Sequence, residues 1–161
     1  MTNLINNFFA ETGPLSSLLD QYSPRPAQIK MANAISETLE KKDGRLMVEA
    51  GTGTGKSLAY LIAALLSGKK VLISTATKTL QDQLFHKDLP LALKALGQSK
   101  NTLLMKGRGN YLCLLKAENF SPTGDLLDKR ENKRVDNLRT WIKTTETGDR
   151  AELTDLPDDS P

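Results

Sequence analysis

The sequence contains very little cysteine, histidine or aromatic side chain, and it has no long apolar run. One Cys and one His occur among 161 residues. A disulfide within the chain is therefore impossible, and the chain cannot complete a four-cysteine metal site by itself. No apolar run approaches the roughly 20 residues of a membrane-spanning helix, and the N-terminus, Met1-Thr2-Asn3-Leu4, lacks a secretory signal. These absences predict a cytoplasmic protein with no membrane partner.

Charge is modest overall but unevenly distributed. The formal net charge is +3, and residues 146–161 hold six acids against one base, which leaves a net charge of +8 on residues 1–145. A basic body of this kind is compatible with a polyanionic partner such as nucleic acid. An ordinary solvated basic surface is the alternative, and charge alone does not decide between them.

The order of the predicted elements indicates an α/β fold. Apolar runs of the type found in parallel sheets alternate with stretches of helical periodicity, which implies right-handed crossovers and helices on both faces of a sheet. Three strands are few for a closed core, so we expect the chain to be the front part of a larger protein. The predicted strands are 45–49, 71–75 and 102–105, and the predicted helices are 14–21, 27–41, 56–67, 78–86, 90–96 and 125–143.

The strongest motif is Ala50-Gly51-Thr52-Gly53-Thr54-Gly55-Lys56-Ser57, here called the phosphate loop. It follows a predicted strand and opens a predicted helix, which is the context of a nucleotide-binding P-loop. Glycines allow backbone N–H groups to turn inward around phosphates, and the helix N-terminus adds its dipole. Lys56 is expected to reach the β- and γ-phosphates, and Ser57 to bind Mg²⁺. Ala50 replaces the usual first glycine, which is similar to the helicase version of the motif.

One segment before the phosphate loop and one after it contain residues suited to binding adenine and DNA. Gln28, in Arg25-Pro26-Ala27-Gln28 after the aromatic Tyr22, resembles the Q-motif of superfamily 2 helicases, because an amide can donate and accept at an adenine edge. The alternative is that Gln28 is an ordinary polar residue at the start of a helix. The Thr-rich segment 74–84 resembles the helicase element that grips single-stranded DNA through phosphates. An ordinary capped helix start is the alternative there.

A third segment narrows the resemblance to one family. Lys106-Gly107-Arg108-Gly109-Asn110-Tyr111-Leu112-Cys113 resembles the place where iron–sulfur helicases of the XPD/DinG family carry their first cluster cysteine. The combined motifs cover residues 14–117 and resemble the bacterial DinG/YoaA branch, on its YoaA side. The resemblance implies an incomplete first RecA-like motor domain of an ATP-dependent 5′→3′ DNA helicase that acts in repair or replication.

The resemblance also assigns roles to individual residues. ATP, Mg²⁺ and a [4Fe–4S] cluster are the implied cofactors, with Lys56 and Ser57 catalytic and Cys113 a cluster ligand in the full-length protein only. The implied partners are single-stranded and forked duplex DNA and a possible replication or repair protein. The nucleotide-binding candidates are Arg25, Gln28, Ala50, Gly51, Thr52, Gly53, Thr54, Gly55, Lys56 and Ser57. The DNA-binding candidates are Thr75, Lys78, Gln83, Arg108 and Tyr111.

Important parts of such a motor are missing from this sequence. It has no Asp-Glu-Ala-His box and only one cysteine, so we expect an N-terminal fragment that hydrolyses ATP negligibly alone. The expected organisation is a lead-in over 1–24, the ATP-binding part over 25–117, and the start of the cluster insertion over 118–161, first helical and then flexible. An ATP-binding adaptor without motor activity is the alternative. A small-molecule kinase is disfavoured by Ala50 and Gln28.

Overall fold

The computed structural model describes residues 2–119 and 129–153 of the chain. Two compact units are distinguished, Met1–Leu104 and Met105–Pro161. In the described part of the chain, no helix has the length and apolar character needed to cross a membrane. The predicted flexible tail after residue 153 and the predicted helix start at residues 125–128 lie outside the described residues.

The first unit is a set of helices around one apolar core. Helix α2 packs along α3, while α1 contacts α2 and α5 contacts α3. Apolar side chains recur at helical spacing along α2, which predicted that helix, and α3 is apolar almost all round, as the sequence indicated. The helices are α1 (Thr2–Phe8), α2 (Pro26–Glu40), α3 (Lys56–Leu66), α4 (Lys78–Gln83) and α5 (Leu89–Leu96).

The ends of these helices follow local chemistry. Pro26 is the first residue of α2, where its missing N–H costs nothing and its fixed φ suits the helix. The Thr77 hydroxyl accepts a hydrogen bond from the Leu80 N–H at 3.2 Å and caps α4. Gly97 ends α5 in the left-handed region with φ of 61°, a conformation that glycine adopts without strain. The predicted helix positions over residues 27–41, 56–67 and 90–96 are confirmed to within two residues.

The N-terminal segment contributes to the core, which the sequence pattern did not indicate. Helix α1 was not predicted, and the expected short helix over 14–21 is a single 3₁₀ turn, Ser16–Leu18. Four side chains of this segment are almost fully buried: Ile5, Phe8, Phe9 and Leu15. Each such burial contributes about 1.5–3 kcal/mol to stability. The segment predicted as a lead-in therefore holds the largest buried side chains of the first unit.

Residues 78–96 form one continuous helical run, whereas the sequence predicted two helices separated near residue 88. A π-helical turn, Leu84–Asp88, connects α4 to α5. In this turn the Leu89 N–H donates to the Leu84 carbonyl, five residues earlier. Pro90 was expected to begin a new helix, and it occupies the second position of α5 instead. A proline is tolerated in a first turn, so it does not break the run.

The predicted parallel sheet is not confirmed. Among the described residues no β-strand forms, and the sole strand-like pairing is an isolated antiparallel bridge between Tyr111 and Asp149. A parallel strand is stabilised only by neighbours that accept and donate its ladder hydrogen bonds. The three predicted strand segments instead carry solvent-exposed apolar side chains, among them Met47, Leu72 and Leu103.

The second unit joins residues 106–113 to residues 145–152. Its helices are α6 (Leu114–Glu118) and α7 (Lys129–Thr144); α7 lies where the sequence predicted a helix. The Leu112 N–H donates to the Gly148 carbonyl at 2.7 Å. Lys106 Nζ and Asp149 Oδ2 form an ion pair at 2.8 Å, with side chains 5% and 17% exposed. A pair this sheltered is sensitive to the loss of either charge.

Glu152 is the second anchor of this unit. Its carboxylate accepts hydrogen bonds from Trp141 Nε1 at 2.6 Å, from the Thr145 hydroxyl at 2.8 Å and from the Thr147 hydroxyl. Donation from Thr147, then Trp141 and Thr145, lowers the pKa of the Glu152 carboxyl below its ordinary value of 4.5, because each donor favours the charged form.

The pH response of this contact is a first prediction. A carboxyl with a lowered folded-state pKa stabilises the fold above its unfolded pKa, and this contribution is lost as pH falls through the folded value. We expect the Trp141 indole N–H resonance to shift with a midpoint below pH 4.5, measured by NMR titration. Glu152→Gln should abolish that transition. Glu146→Gln, at an exposed acid of the same segment, should preserve it. A midpoint unaffected by Glu152→Gln would contradict the assignment.

Candidate functional site

The phosphate loop connects an extended segment to the N-terminus of α3. Gly53 and Gly55 have φ of 77° and 83°, a left-handed region in which side chains are strained. Gly55 is the residue before α3, and Lys56 is the first residue of that helix. The Thr54 hydroxyl donates to the Gly51 carbonyl at 2.6 Å and closes the turn. Free N–H groups at the start of α3 make this end of the helix suited to an anion.

Lys56 folds back over its own loop. Its Nζ donates to the Ala50 carbonyl at 2.9 Å and to the Gly51 carbonyl at 2.7 Å. An ammonium group held by two backbone carbonyls lies at the loop that a triphosphate would enter. Binding of phosphate would exchange these neutral acceptors for charged oxygens, which form stronger hydrogen bonds with a cation.

Gln28, on α2, forms a hydrogen bond with the phosphate loop. It lies in the first turns of α2 and is only 3% exposed. Its Nε2 donates to the Gly55 carbonyl at 2.9 Å. A Cβ at position 55 would come within 2.2 Å of Gln28 Nε2, so this close approach and the positive φ both require glycine there. Gln28 is therefore joined to the phosphate loop, a contact that the sequence did not predict, and its expected role at the adenine edge stays a prediction.

Arg25 and Tyr22, which precede Gln28 in the sequence, also form hydrogen bonds near the phosphate loop and the core. The Arg25 guanidinium, on the residue before α2, donates to the Gly53 carbonyl. The Tyr22 hydroxyl donates to the Phe9 carbonyl at 3.0 Å. Burial raises the pKa of the Tyr22 phenol, and the nearby Arg25 charge acts in the opposite direction. The nucleotide candidates of α2 and of the phosphate loop are thus brought together at one place.

Ser57 fits a magnesium site of the P-loop type. Its hydroxyl lies in the first turn of α3, directly after Lys56. In such sites Mg²⁺ takes one or two protein oxygens and completes its shell with phosphate and water. The described residues contain no cluster of three or more His, Cys, Asp or Glu side chains suited to a metal. A single hydroxyl oxygen from Ser57 suits an Mg²⁺ ion whose other ligands are nucleotide phosphates and water.

The DNA-binding candidates fall on both units. In the first unit, Lys78 is exposed at the start of α4, and Thr75 is half-buried with its hydroxyl donating to the Thr77 carbonyl at 3.1 Å. Gln83 Nε2 donates to Asp88 Oδ2 at 3.3 Å. In the second unit, Arg108 is exposed and the Tyr111 hydroxyl accepts the Lys106 N–H at 2.8 Å. Gln83 and Tyr111 thus have intramolecular partners.

Cys113 is an exposed free thiol at the start of α6. Its side chain is therefore not part of the buried core. A [4Fe–4S] cluster requires four thiolates, and this sequence supplies one. The residues of this chain therefore do not by themselves fit the cluster.

The sequence analysis missed several residues that build these sites. Asp149 and Glu152 lie in the segment predicted to be flexible, yet Asp149 forms an ion pair with Lys106 and Glu152 accepts a hydrogen bond from Trp141. Asp88 was assigned no role and is a buried acid, 8% exposed. In the sequence, Asp88 stands between a leucine and an alanine at four-residue spacing on one helix face. An acid on an otherwise apolar face indicates a buried carboxyl group with partners, because acids are rarely buried without them.

Comparison with known proteins gives consistent matches. The sequence profile of the DEAD/DEAH box helicases matches residues 25–107. The chain is 45% identical over 159 residues to the ATP-dependent DNA helicase YoaA of Haemophilus influenzae, covering 99% of this chain and 25% of that protein. It is 44% identical to YoaA of Escherichia coli, covering 94% and 24%. With the ATP-dependent DNA helicase DinG of Photobacterium profundum the identity is 40%, covering 83% and 21%.

The resemblance to the DinG/YoaA helicases is confirmed by these identities, and the chain spans about a quarter of the length of the curated relatives it matches. A RecA-like α/β fold class follows from the matched helicase profile. That profile covers just over half of the chain, including both α2 and the phosphate loop. On this ground, the chain belongs to the DEAD/DEAH box helicase family.

Proposed function

We propose that this chain forms the ATP-binding part of an ATP-dependent DNA helicase. The carrying observation is the phosphate loop with Lys56 at the start of α3 and Gln28 hydrogen-bonded to Gly55 beneath it. The relatives named as ATP-dependent DNA helicases support the same function. In this proposal Lys56 binds the β- and γ-phosphates, Ser57 binds Mg²⁺, and Gln28 and Arg25 link the adenine to the loop.

The proposed substrate is DNA with a single-stranded region, including forked duplexes, along which the whole motor moves 5′→3′. Thr75 and Lys78 stand at the start of α4, and Arg108 is exposed in the second unit. Hydroxyl and cationic groups of this kind suit phosphate oxygens and do not read bases. We also assign Gln83 of the first unit and Tyr111 of the second unit to DNA binding, with their present intramolecular hydrogen bonds exchanged on binding. A replication or repair protein is the further proposed partner.

Two structural elements of the proposal concern the longer protein. The segments 45–49, 71–75 and 102–105 are proposed as strands of a parallel RecA-like sheet, and their apolar composition supports this. Cys113 is proposed as one of four thiolates of a [4Fe–4S] cluster, of which this chain supplies no other. The proposed boundary between the ATP-binding part and the cluster insertion remains at residues 117 and 118.

The adaptor without motor activity is not favoured. A P-loop adaptor would bind ATP through the same groups, so the phosphate loop does not separate the two functions. The relatives that match nearly the whole chain are named as helicases, which supports the motor. A catalytic box supplied elsewhere in the protein would provide the water-activating acid that this sequence lacks.

The second prediction is that this chain binds Mg–ATP weakly and hydrolyses it negligibly. Lys56→Ala should weaken Mg–ATP binding by about 10- to 100-fold, the effect of losing a charged hydrogen-bonding group. Isothermal titration calorimetry measures the affinity, and phosphate release measures turnover. Lys70→Ala, at an exposed lysine beyond α3, is the matched control and should bind normally. Steady turnover that Lys56→Ala abolishes would contradict the prediction.

The third prediction concerns adenine recognition. Gln28→Ala should weaken ATP binding more than GTP binding, because an amide reads the N6 and N7 edge of adenine. Lys56→Ala should weaken both nucleotides equally, since it contacts phosphates alone. Competition binding with the two nucleotides gives the ratio. An equal loss for ATP and GTP in Gln28→Ala would show that Gln28 supports the loop without reading the base.

The fourth prediction concerns DNA. We expect weak binding of a single-stranded oligonucleotide, with an affinity that falls linearly with the logarithm of salt concentration. Lys78→Ala should weaken binding equally for all sequences and reduce the salt slope by about 1. Fluorescence anisotropy with dT and mixed-sequence oligonucleotides measures both effects. Lys87→Ala, an exposed lysine on the π turn, is the control. A sequence-dependent loss would contradict phosphate contact.

A further inference from the structure

Both ends of one short segment of the second unit are attached to a turn that lies far from it in the sequence. At the start of the segment, Lys106 Nζ forms an ion pair with Asp149 Oδ2 at 2.8 Å. At its end, the Leu112 N–H donates to the Gly148 carbonyl at 2.7 Å, beside the antiparallel bridge between Tyr111 and Asp149. These two attachments fix the backbone on either side of the residues between them.

The part between the two attachments carries Arg108. It contains the 3₁₀ turn Arg108–Asn110, and Arg150 Nη1 donates to the Gly109 carbonyl within that turn at 3.4 Å. Arg108 is exposed, whereas the Lys106 side chain is 5% exposed and is paired with an acid. Of these two cations, Arg108 is therefore the one that can meet a phosphate from solution.

Asp149 is an unexpected residue beside a surface proposed to bind a polyanion. A carboxylate close to DNA phosphates repels them, so direct contact between Asp149 and DNA would weaken binding. Its side chain is 17% exposed, and its charge is directed to the Lys106 ammonium group. Any favourable contribution of Asp149 to DNA binding must therefore come from the segment that it holds in place.

The backbone at Gly148 is suited to the same attachment. Gly148 has φ of 66°, a left-handed region in which a side chain is strained. A Cβ at position 148 would lie 3.5 Å from Leu112 Cβ, an ordinary contact, so the backbone conformation and not the available space requires glycine. Replacing Gly148 therefore disturbs the backbone that carries the acceptor of the Leu112 N–H, and it changes no charge.

We propose that Asp149 is a positioning residue for binding single-stranded DNA: through its ion pair with Lys106 it orders the turn Arg108–Asn110 and so presents Arg108 to a phosphate. A loop loses conformational freedom when it binds, and a loop that is already held in place loses less. The Gly148–Leu112 hydrogen bond acts in the same direction at the other end of the segment. The inference rests on the proposed DNA binding and deepens it.

The sign of one substitution tests the proposal. Asp149→Asn removes a negative charge, which by charge alone strengthens binding to DNA. We expect the opposite: the affinity of this chain for a labelled dT oligonucleotide, measured by fluorescence anisotropy at low salt, should fall about two- to tenfold, the effect of ordering one side chain on binding. Glu146→Gln removes the same charge from an exposed acid nearby and should not weaken binding. An unchanged or raised affinity in Asp149→Asn would overturn the proposal.

A double-mutant cycle separates positioning of Arg108 from a general loss of structure. Arg108→Ala should weaken binding, and Asp149→Asn should then have little additional effect in that background. The Trp141 indole N–H resonance reports by NMR whether the rest of the second unit stays folded. Gly148→Ala, which changes no charge, should weaken binding in the same way, and it decides the matter should Asp149→Asn not fold. Additive losses in the double mutant are the result that contradicts positioning.

The same measurements distinguish failure of this inference from failure of the proposed function. If the unaltered chain shows no oligonucleotide binding that depends on Arg108, the proposed DNA contact and this inference both fail. If Arg108→Ala weakens binding and a folded Asp149→Asn does not, only this inference fails.

Discussion

The hydrogen bond from Gln28 to the Gly55 carbonyl connects the two parts of the proposed nucleotide site. It joins the buried start of α2 to the last residue of the phosphate loop, at 2.9 Å. Helix α2 also packs along α3. The loop is therefore hydrogen-bonded to α2 and leads directly into α3. Loss of this contact would leave a buried amide without its acceptor, at a cost of about 1–3 kcal/mol. The position of Lys56, and that of Ser57 beside it in the first turn of α3, depends on the same hydrogen bond.

Much of the first unit could be predicted from local patterns. Helical periodicity predicted α2 and α3, and the glycines before Lys56 predicted a loop at the start of a helix. The part that was missed is α1 and the burial of Phe8 and Phe9. A short segment with two aromatic residues shows no clear period, and its burial depends on the face that α2 offers it. Such tertiary contacts override local preference.

The second unit shows the other limit of sequence reasoning. Its ion pair joins Lys106 to Asp149, and its backbone contact joins Leu112 to Gly148. Partners this far apart in sequence leave no spacing signal, which is why the sequence predicted a flexible segment there. The predicted sheet is not confirmed among the described residues, and strand composition indicates a tendency to pair but does not identify the partner. A P-loop is a local motif, so the sequence could name the nucleotide-binding candidates, and their binding role stays a prediction.

The exposed apolar side chains have a consequence for how the isolated chain behaves in solution. Met47, Leu72 and Leu103 are 97%, 93% and 80% exposed, in segments without helix or strand whose sequence is rich in β-forming residues. Side chains of this kind favour self-association, because extended apolar segments pair readily with similar segments of other molecules. The net charge of +3 gives only weak electrostatic repulsion against such contacts. Colloidal stability is therefore governed by segments outside the nucleotide site, and it improves at low protein concentration and low salt.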